Sequence, residues 1–271
     1  MTIYNWPNGI GASLGETLGT CKPLSMSGAI YFVSNSTGND SNDGGDEARP
    51  KATLAGAVSA ATSNDIIVLL DGHTETLTSA ATLSANGLTV VGTGTSGGKP
   101  TVKLKLNAAS GSLIVASGAS VALRNIWFQG NQQANSSVRI SVSGAGFRMS
   151  DCYVECDQYD TGSALSYASG GDSSRIISTT FISIATSTSA QPARAIALTA
   201  AISDLELSGV ILDAGAAGFS DYYAMNLSTA AVTRLRGESV TLKNGADVRL
   251  HASTVGYLNA QTVTGAGKVF W

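Results

Sequence analysis

Leu123-Arg-Asn-Ile-Trp127-Phe128 decides how this chain is read, because its pattern returns five more times in the second half. The other copies are Met149-Ser-Asp-Cys-Tyr153-Val154, Ile177-Ser-Thr-Thr-Phe181-Ile182, Leu207-Ser-Gly-Val-Ile211-Leu212, Leu235-Arg-Gly-Glu-Ser239-Val240 and Leu258-Asn-Ala-Gln-Thr262-Val263. Each opens on an aliphatic residue or Met, passes through three mostly small or polar residues, and closes on a variable position followed by an apolar one. The starts lie 26, 28, 30, 28 and 23 residues apart. A near-constant period in this range is the sequence mark of a solenoid with loops of unequal length.

Working outward from the motif, the spacers exclude a helical solenoid. Stretches such as Ser141-Val-Ser-Gly-Ala-Gly146 and Ala168-Ser-Gly-Gly-Asp-Ser-Ser174 break helices and favour turns. The motifs are short alternating runs of Val, Ile, Thr and aromatics, which read as strands. A second strand precedes most copies, at Val138–Val142, Ser163–Tyr167, Ala195–Leu198, Ala224–Leu227 and Val248–His251. Two or three strands with turns make one coil, and stacked coils close a core that none could close alone. Earlier coils are expected at Asp65–Leu70, Gly87–Val91, Thr101–Leu106 and Gly111–Val115. Lys51–Ala61, with Leu54, Ala57, Val58 and Ala61 at helical spacing after Pro50, predicts a short helix covering the open end of the stack.

The stretch Tyr31-Phe-Val-Ser, Gly38-Asn-Asp-Ser-Asn-Asp-Gly44, Pro50-Lys-Ala-Thr-Leu54, Asp65-Ile-Ile-Val-Leu-Leu70 and Thr74-Glu75 resembles the opening of the pectate-lyase-like right-handed parallel β-helix superfamily. Val121-Ala-Leu-Arg-Asn-Ile-Trp-Phe-Gln-Gly130 is similar to that family's ordinary coil. The resemblance spans Tyr31 to Val263 and implies an all-β, right-handed parallel β-helix with a short N-terminal capping helix. It implies no single activity, since the superfamily holds lyases, hydrolases, epimerases and inert phage spikes and capsid proteins. Its phage structural members, of the capsid decoration or tailspike type, are the nearest in character. The expected organisation is an N-terminal extension over residues 1–28 and one β-helix domain over 29–271.

Composition narrows the partners. Hydrophobic residues make up 43% of the chain and charged residues only 13%, so the core is well supplied while small neutral residues build the surface. The net charge of −3 comes with scattered basic residues, which leaves no electrostatic footprint for nucleic acid or for an anionic membrane. No apolar run approaches the length of a membrane span, and no basic segment followed by an apolar one opens the chain. Cys152 and Cys156, four apart, are expected to be reduced and inward-facing; with Cys21 they make an odd number. The extension holds Tyr4, Trp6, Ile10, Leu14, Leu18 and Leu24, more apolar content than a disordered tail carries. It is either a strap over the first coil or an arm that docks on another subunit or particle.

Little in the sequence points to catalysis. Asp151, Glu155 and Asp157 share the outer side of one expected strand beside Tyr153, a candidate acid and base pair of the glycosidase kind. The lyases of the resemblance use an Arg or Lys base beside calcium-binding acids. Arg139, Arg148 and Arg175 lie near, but no adjacent coil repeats the acids. Asp40-Ser-Asn-Asp-Gly-Gly-Asp-Glu47 fails as a calcium loop, because the fifth and twelfth places hold Gly44 and Lys51. His73 and His251 lie far apart in the stack, which argues against a histidine triad or a zinc site. No metal and no cofactor is expected.

The motif's variable position is more informative. Trp127, Tyr153, Phe181 and Ile211 would form an apolar stripe along the outside if the next residue points inward. A bend at the motif would instead turn these residues into the core. As a surface, the stripe suits a side-by-side homotrimer, with Phe270 and Trp271 covering or being covered at the far end. The expectation is therefore a bacteriophage virion structural protein. It would be a homotrimeric capsid decoration (cement) protein or short spike, assembled in the host cytoplasm and bound to other virion proteins such as the major capsid protein. The rival expectation is a polysaccharide lyase or hydrolase of the tailspike depolymerase type, with a glycan as partner.

Overall fold

The computed structural model describes residues 28–106, 111–129, 138–156, 163–185, 194–216, 218–219, 223–264 and 269–270. The docking candidates Tyr4, Trp6, Ile10, Leu14 and Leu18, together with Asp157 and Trp271, lie outside them.

The chain is an all-β parallel solenoid with three faces. Face one stacks Ile30–Val33, Ile66–Leu69, Leu88–Gly92, Val121–Arg124, Arg148–Ser150, Ser174–Ile177, Ile202–Ser208 and the first part of Val232–Lys243. Face two stacks Thr74–Leu77, Lys103–Leu106, Trp127–Gln129, Tyr153–Cys156, Thr180–Ser183, Ile211–Asp213 and the last part of Val232–Lys243. Face three runs from Ala81–Leu83 through Leu113–Val115, Val138–Val142, Ser163–Tyr167, Arg194–Leu198, Met225–Leu227 and Val248–Leu250 to Val269–Phe270. Gly256–Thr264 adds the last rung of faces one and two. Every pairing between rungs is parallel; the one antiparallel pair among the described residues is the small hairpin Thr95–Ser96 with Lys99–Pro100.

Alternation explains why these segments stack. On face two, Leu104, Phe128, Val154, Phe181, Leu212 and Leu242 pair in register and are all buried. On face one, Ile67, Val90, Leu123, Met149, Ile176 and Leu207 do the same. On face three the column is Leu113, Ile140, Leu165, Ile196, Met225 and Val248. Each such side chain removed from water contributes about 1.5–3 kcal/mol. The three columns close one continuous core along the stack.

Faces one and two meet at a corner with a fixed conformation. Asn125 (φ 50), Asp151 (φ 56), Ser178 (φ 47), Gly209 (φ 62) and Ser239 (φ 53) all adopt left-handed backbone there. Asn, Asp and Gly tolerate this region best, which is why the corner needs small polar residues in every rung. Asn125 also donates its Nδ2 to the carbonyls of Gly92 and Gly94, at 2.8 and 3.1 Å, satisfying the turn of the preceding rung.

The expected capping helix is Leu54–Ala60. Thr53 caps it by accepting the Gly56 N–H, and Leu54 and Ala57 seat in the main core. The loop before it is built around an ammonium. The nearly buried Lys51 donates its Nζ to the carbonyls of Asn42 and Asp40, at 2.8 and 3.2 Å. Asp40 accepts the backbone N–H groups of Ala52 and Thr53 and the Thr53 hydroxyl. The loop thus organises itself around its own lysine.

The ladder corrects one assignment of the sequence reading. Tyr153 pairs with Thr180, and Phe181 pairs with Val154, so Phe181 is wholly buried rather than part of an outer stripe. The outer column reads Trp127, Tyr153, Thr180, Ile211 and Thr241. Its apolar run is therefore broken at Thr180.

Candidate functional site

Two places on the outside of the stack gather side chains capable of recognition. The first is on face two. Trp127 and Tyr153 occupy adjacent rungs and meet edge to face, with ring centroids 5.7 Å apart. Lys99, presented by the small hairpin, places its ammonium 4.1 Å from the Tyr153 ring centroid and 5.2 Å from that of Trp127. Lys103, one rung below Trp127, sits 4.5 Å from the indole. Such contacts are each worth about 0.5–1 kcal/mol at a wet surface and more when dried. Both aromatics are half-buried, yet the indole Nε1 is sealed from water and has no hydrogen-bond partner among the described residues. Gln129 Oε1, two residues on, is in the same condition. Orphaned buried donors and acceptors of this kind are uncommon in folded proteins. Ile211, two rungs beyond Tyr153 in the same column, is also half-buried, while Phe270 pairs through its backbone with Arg249 on face three.

The acidic candidates are not brought together as expected. Asp151 occupies the left-handed corner, exposed and 3.9 Å from the buried Arg124 guanidinium, whereas the strand begins at Tyr153. Glu155 lies on that strand, half-buried and facing outward. The corner therefore separates two carboxylates that a continuous strand would have aligned. Cys152, Val154 and Cys156 do face inward, and both thiols are free and buried. Burial pushes the Cys152 thiol up to about 12, which removes it as a nucleophile near neutral pH. Among the described residues no group of three or more His, Cys, Asp or Glu could hold a metal ion, and no helix is long and apolar enough to cross a membrane.

The second place is on face one, and the sequence reading missed it. Arg148, Arg175, Glu206, Arg236 and Tyr257 stand in one register column on consecutive rungs. Asp204 and Arg234 pair with each other two residues earlier on two of those rungs. Arg175 Nε donates to Glu206 Oε2 at 3.1 Å, and Arg234 binds Asp204 at 2.6 Å. All of these side chains except Tyr257 line a groove of about 290 Å³ with Gly146, Ser173 and Ser174. It continues into a second hollow of about 300 Å³ formed by Glu206, Ser208, Arg236, Glu238 and Tyr257. There the Tyr257 hydroxyl donates to Glu238 at 2.8 Å. That hydrogen bond, aided by slight burial and by the carboxylate's charge, raises the Tyr257 pKa. The signal was present in Arg148-Met149, Arg175-Ile176, Glu206-Leu207 and Leu235-Arg236, outward charges beside inward aliphatics. The register needed to align them was not.

No protein-family model matches the chain, and no curated protein matches it. Among solved structures it is similar to a GH136 lacto-N-biosidase from Eubacterium ramulus, at 9% identity over 89% of this chain and 68% of that one, with a TM-score of 0.26. At that level neither chemistry nor site residues transfer.

Proposed function

We propose that the chain is a structural β-helix that works by binding, a homotrimeric decoration (cement) protein or short spike of a phage virion, assembled in the host cytoplasm. The observation that carries the reading is the Trp127–Tyr153 pair. An edge-to-face aromatic pair, half-buried on the outer side of face two with lysine ammonium groups against its rings, has the character of an interface anchor. Lys99 and Lys103 would turn from the rings to acidic groups of a neighbouring subunit. Residues 1–28 would dock the trimer on other virion proteins such as the major capsid protein. The test is sedimentation velocity on the full chain beside Trp127→Ser/Tyr153→Ser, with far-ultraviolet dichroism on both. Wild-type trimers that fall to folded monomers in the variant support the reading; a wild-type monomer across the micromolar range ends it.

A second reading, polysaccharide cleavage, is favoured by one feature of face one. Glu206 and Glu238 are one rung and two residues apart, about 8 Å at the backbone from a spacing of about 4.8 Å between rungs and 3.3 Å along a strand. That backbone spacing allows their carboxylates the separation of about 6.5–9.5 Å that suits inverting glycoside hydrolysis, with a water between them. Release of reducing sugar by the wild type, lost in Glu206→Gln and in Glu238→Gln, would establish it. Absence of turnover on a panel of acidic and neutral polysaccharides would remove it.

A further inference from the structure

The charges of the face-one groove do not balance. Four guanidinium groups, Arg148, Arg175, Arg234 and Arg236, line it against two carboxylates, Asp204 and Glu206. This local excess of two positive charges sits on a chain whose net charge is −3. Both carboxylates are already engaged, Glu206 by Arg175 and Asp204 by Arg234. Arg148 and Arg236 have no ion-pair partner among the described residues. Moreover, Arg148 and Arg175 are directly opposite each other on neighbouring rungs. Like charges in that relation destabilise a sheet, and the cost is relieved by an anion placed between them.

We infer that this groove binds the oxyanion of a ligand, a carboxylate, sulfate or phosphate group, between Arg148 and Arg175. A guanidinium presents a planar fork of N–H donors that matches such an anion in paired hydrogen bonds, and adjacent rungs are spaced about 4.8 Å apart at the backbone, close enough for two such forks to share one anion. Arg175 keeps its Nε on Glu206, which leaves its terminal nitrogens to face the anion. Gly146, which lines the same wall, brings no side chain into the space. Arg236 stands two rungs beyond Arg175 and therefore about 14 Å from Arg148, with the Arg175–Glu206 pair between them. It forms a second cationic station, within reach of a ligand that carries anions at intervals along its length. The site is independent of trimer formation and of any cleavage by Glu206 and Glu238.

The experiment is calorimetric titration of the full chain with inorganic sulfate, inorganic phosphate and acetate, and with sulfated oligosaccharides of increasing length. Saturable binding of at least one inorganic oxyanion is expected, falling steeply with added sodium chloride. Arg148→Gln should weaken it roughly tenfold or more, the scale of losing charge-assisted hydrogen bonds. Arg249→Gln, which alters an arginine stacked 5.5 Å from the Tyr223 ring and outside the groove, should leave it unchanged. Affinity that grows with oligosaccharide length, and loses that growth in Arg236→Gln, identifies a polymer-borne anion. Affinity independent of length identifies a small free anion. No saturable binding of any probe, or equal weakening by Arg148→Gln and Arg249→Gln, overturns the proposal. All three substitutions are made at the outer surface, and dichroism confirms that each variant is folded.

Discussion

The buried imidazole of His73 and the carboxylate of Glu75 lie 3.2 Å apart, Nε2 to Oε2, and that one carboxylate oxygen joins the solenoid to its capping helix. His73 Nδ1 accepts the Asn35 N–H at 3.0 Å, so a neutral ring carries its proton on Nε2 and donates it to Glu75. The same Oε2 accepts the N–H of Leu54, the first residue of the helix, at 2.7 Å. The Asn35 side chain closes the circuit by accepting the Thr74 N–H. The loop after the first strand, the start of face two and the helix N-terminus are thus fixed by four hydrogen bonds among five residues.

Glu75→Ala should therefore be costly for a half-turn of polar contacts. It leaves the His73 Nε2–H and the Leu54 N–H without their acceptor in a nearly dry setting, and each orphaned donor costs about 1–3 kcal/mol. Equilibrium denaturation should show a loss of about 2 kcal/mol or more. A change below about 0.5 kcal/mol, the range of an ordinary surface substitution, would mean that water replaces the carboxylate and that the circuit is incidental.

The second prediction separates core from surface in one ladder. Phe181→Ala empties a site packed between Val154 and Leu212, and should cost about 3–5 kcal/mol. Thr180→Ala, its neighbour on the outward side, should cost less than about 1 kcal/mol. Denaturant midpoints measured for the two variants at the same protein concentration decide it. Equal losses would contradict the observed register.

That pair of residues also shows how far the sequence could be read. Strand alternation and the repeat disclosed the stacked parallel coils, the helix at Leu54–Ala60, and the inward Cys152 and Cys156. The register failed at Ile177. Ile176 and Ile177 are both aliphatic, and the true anchor opposite Met149 is Ile176. A slip of one residue turns every side chain of a strand to the other face, which moved Phe181 from core to surface. A slip of two residues, which keeps each side chain on its face, arose at Leu235, where Gly237 takes the anchor position opposite Leu207. A glycine has no side chain to announce that role. The corner residues Asn125, Asp151, Ser178, Gly209 and Ser239 carry the missing key, since alignment on their shared left-handed backbone sets all five rungs at once. That alignment would also have brought Arg148, Arg175, Glu206 and Arg236 into one column. Three-dimensional proximity of their charges was hidden because loops of different length separate them.

The third prediction concerns acid. Burial tends to raise the Asp40 pKa, but hydrogen bonds from the Thr53 hydroxyl and from the Thr53 and Ala52 N–H groups, with Lys51 nearby, outweigh it and lower the pKa below 3.8. A carboxylate whose pKa is depressed on folding contributes stability that is complete above its unfolded value and is lost as pH falls through the folded one. Melting temperature should accordingly drop below about pH 4, the ordinary range of an aspartate, and Asp40→Asn should flatten that part of the profile. An unchanged acid limb in the variant would assign it to other carboxylates.

The last prediction concerns the opposite end of the pH scale and reports on the face-one groove directly. The Tyr257 hydroxyl is exposed, yet its hydrogen bond to Glu238 raises its pKa above 10.0, because ionisation would remove the donated proton and set a phenolate against a carboxylate. A group whose pKa is raised on folding contributes stability that is full below its unfolded value and disappears as pH rises through the folded one. The difference in phenolate absorbance between the wild type and Tyr257→Phe isolates this tyrosine from the seven others. Its midpoint should lie above that of a free tyrosine, and Glu238→Gln should bring it down. Sodium chloride should lower the wild-type midpoint only partly, since the hydrogen bond is short-ranged while the charge contribution is screened. A midpoint that Glu238→Gln does not move would show that the two side chains are apart in solution, and the second hollow would lose the contact that defines it.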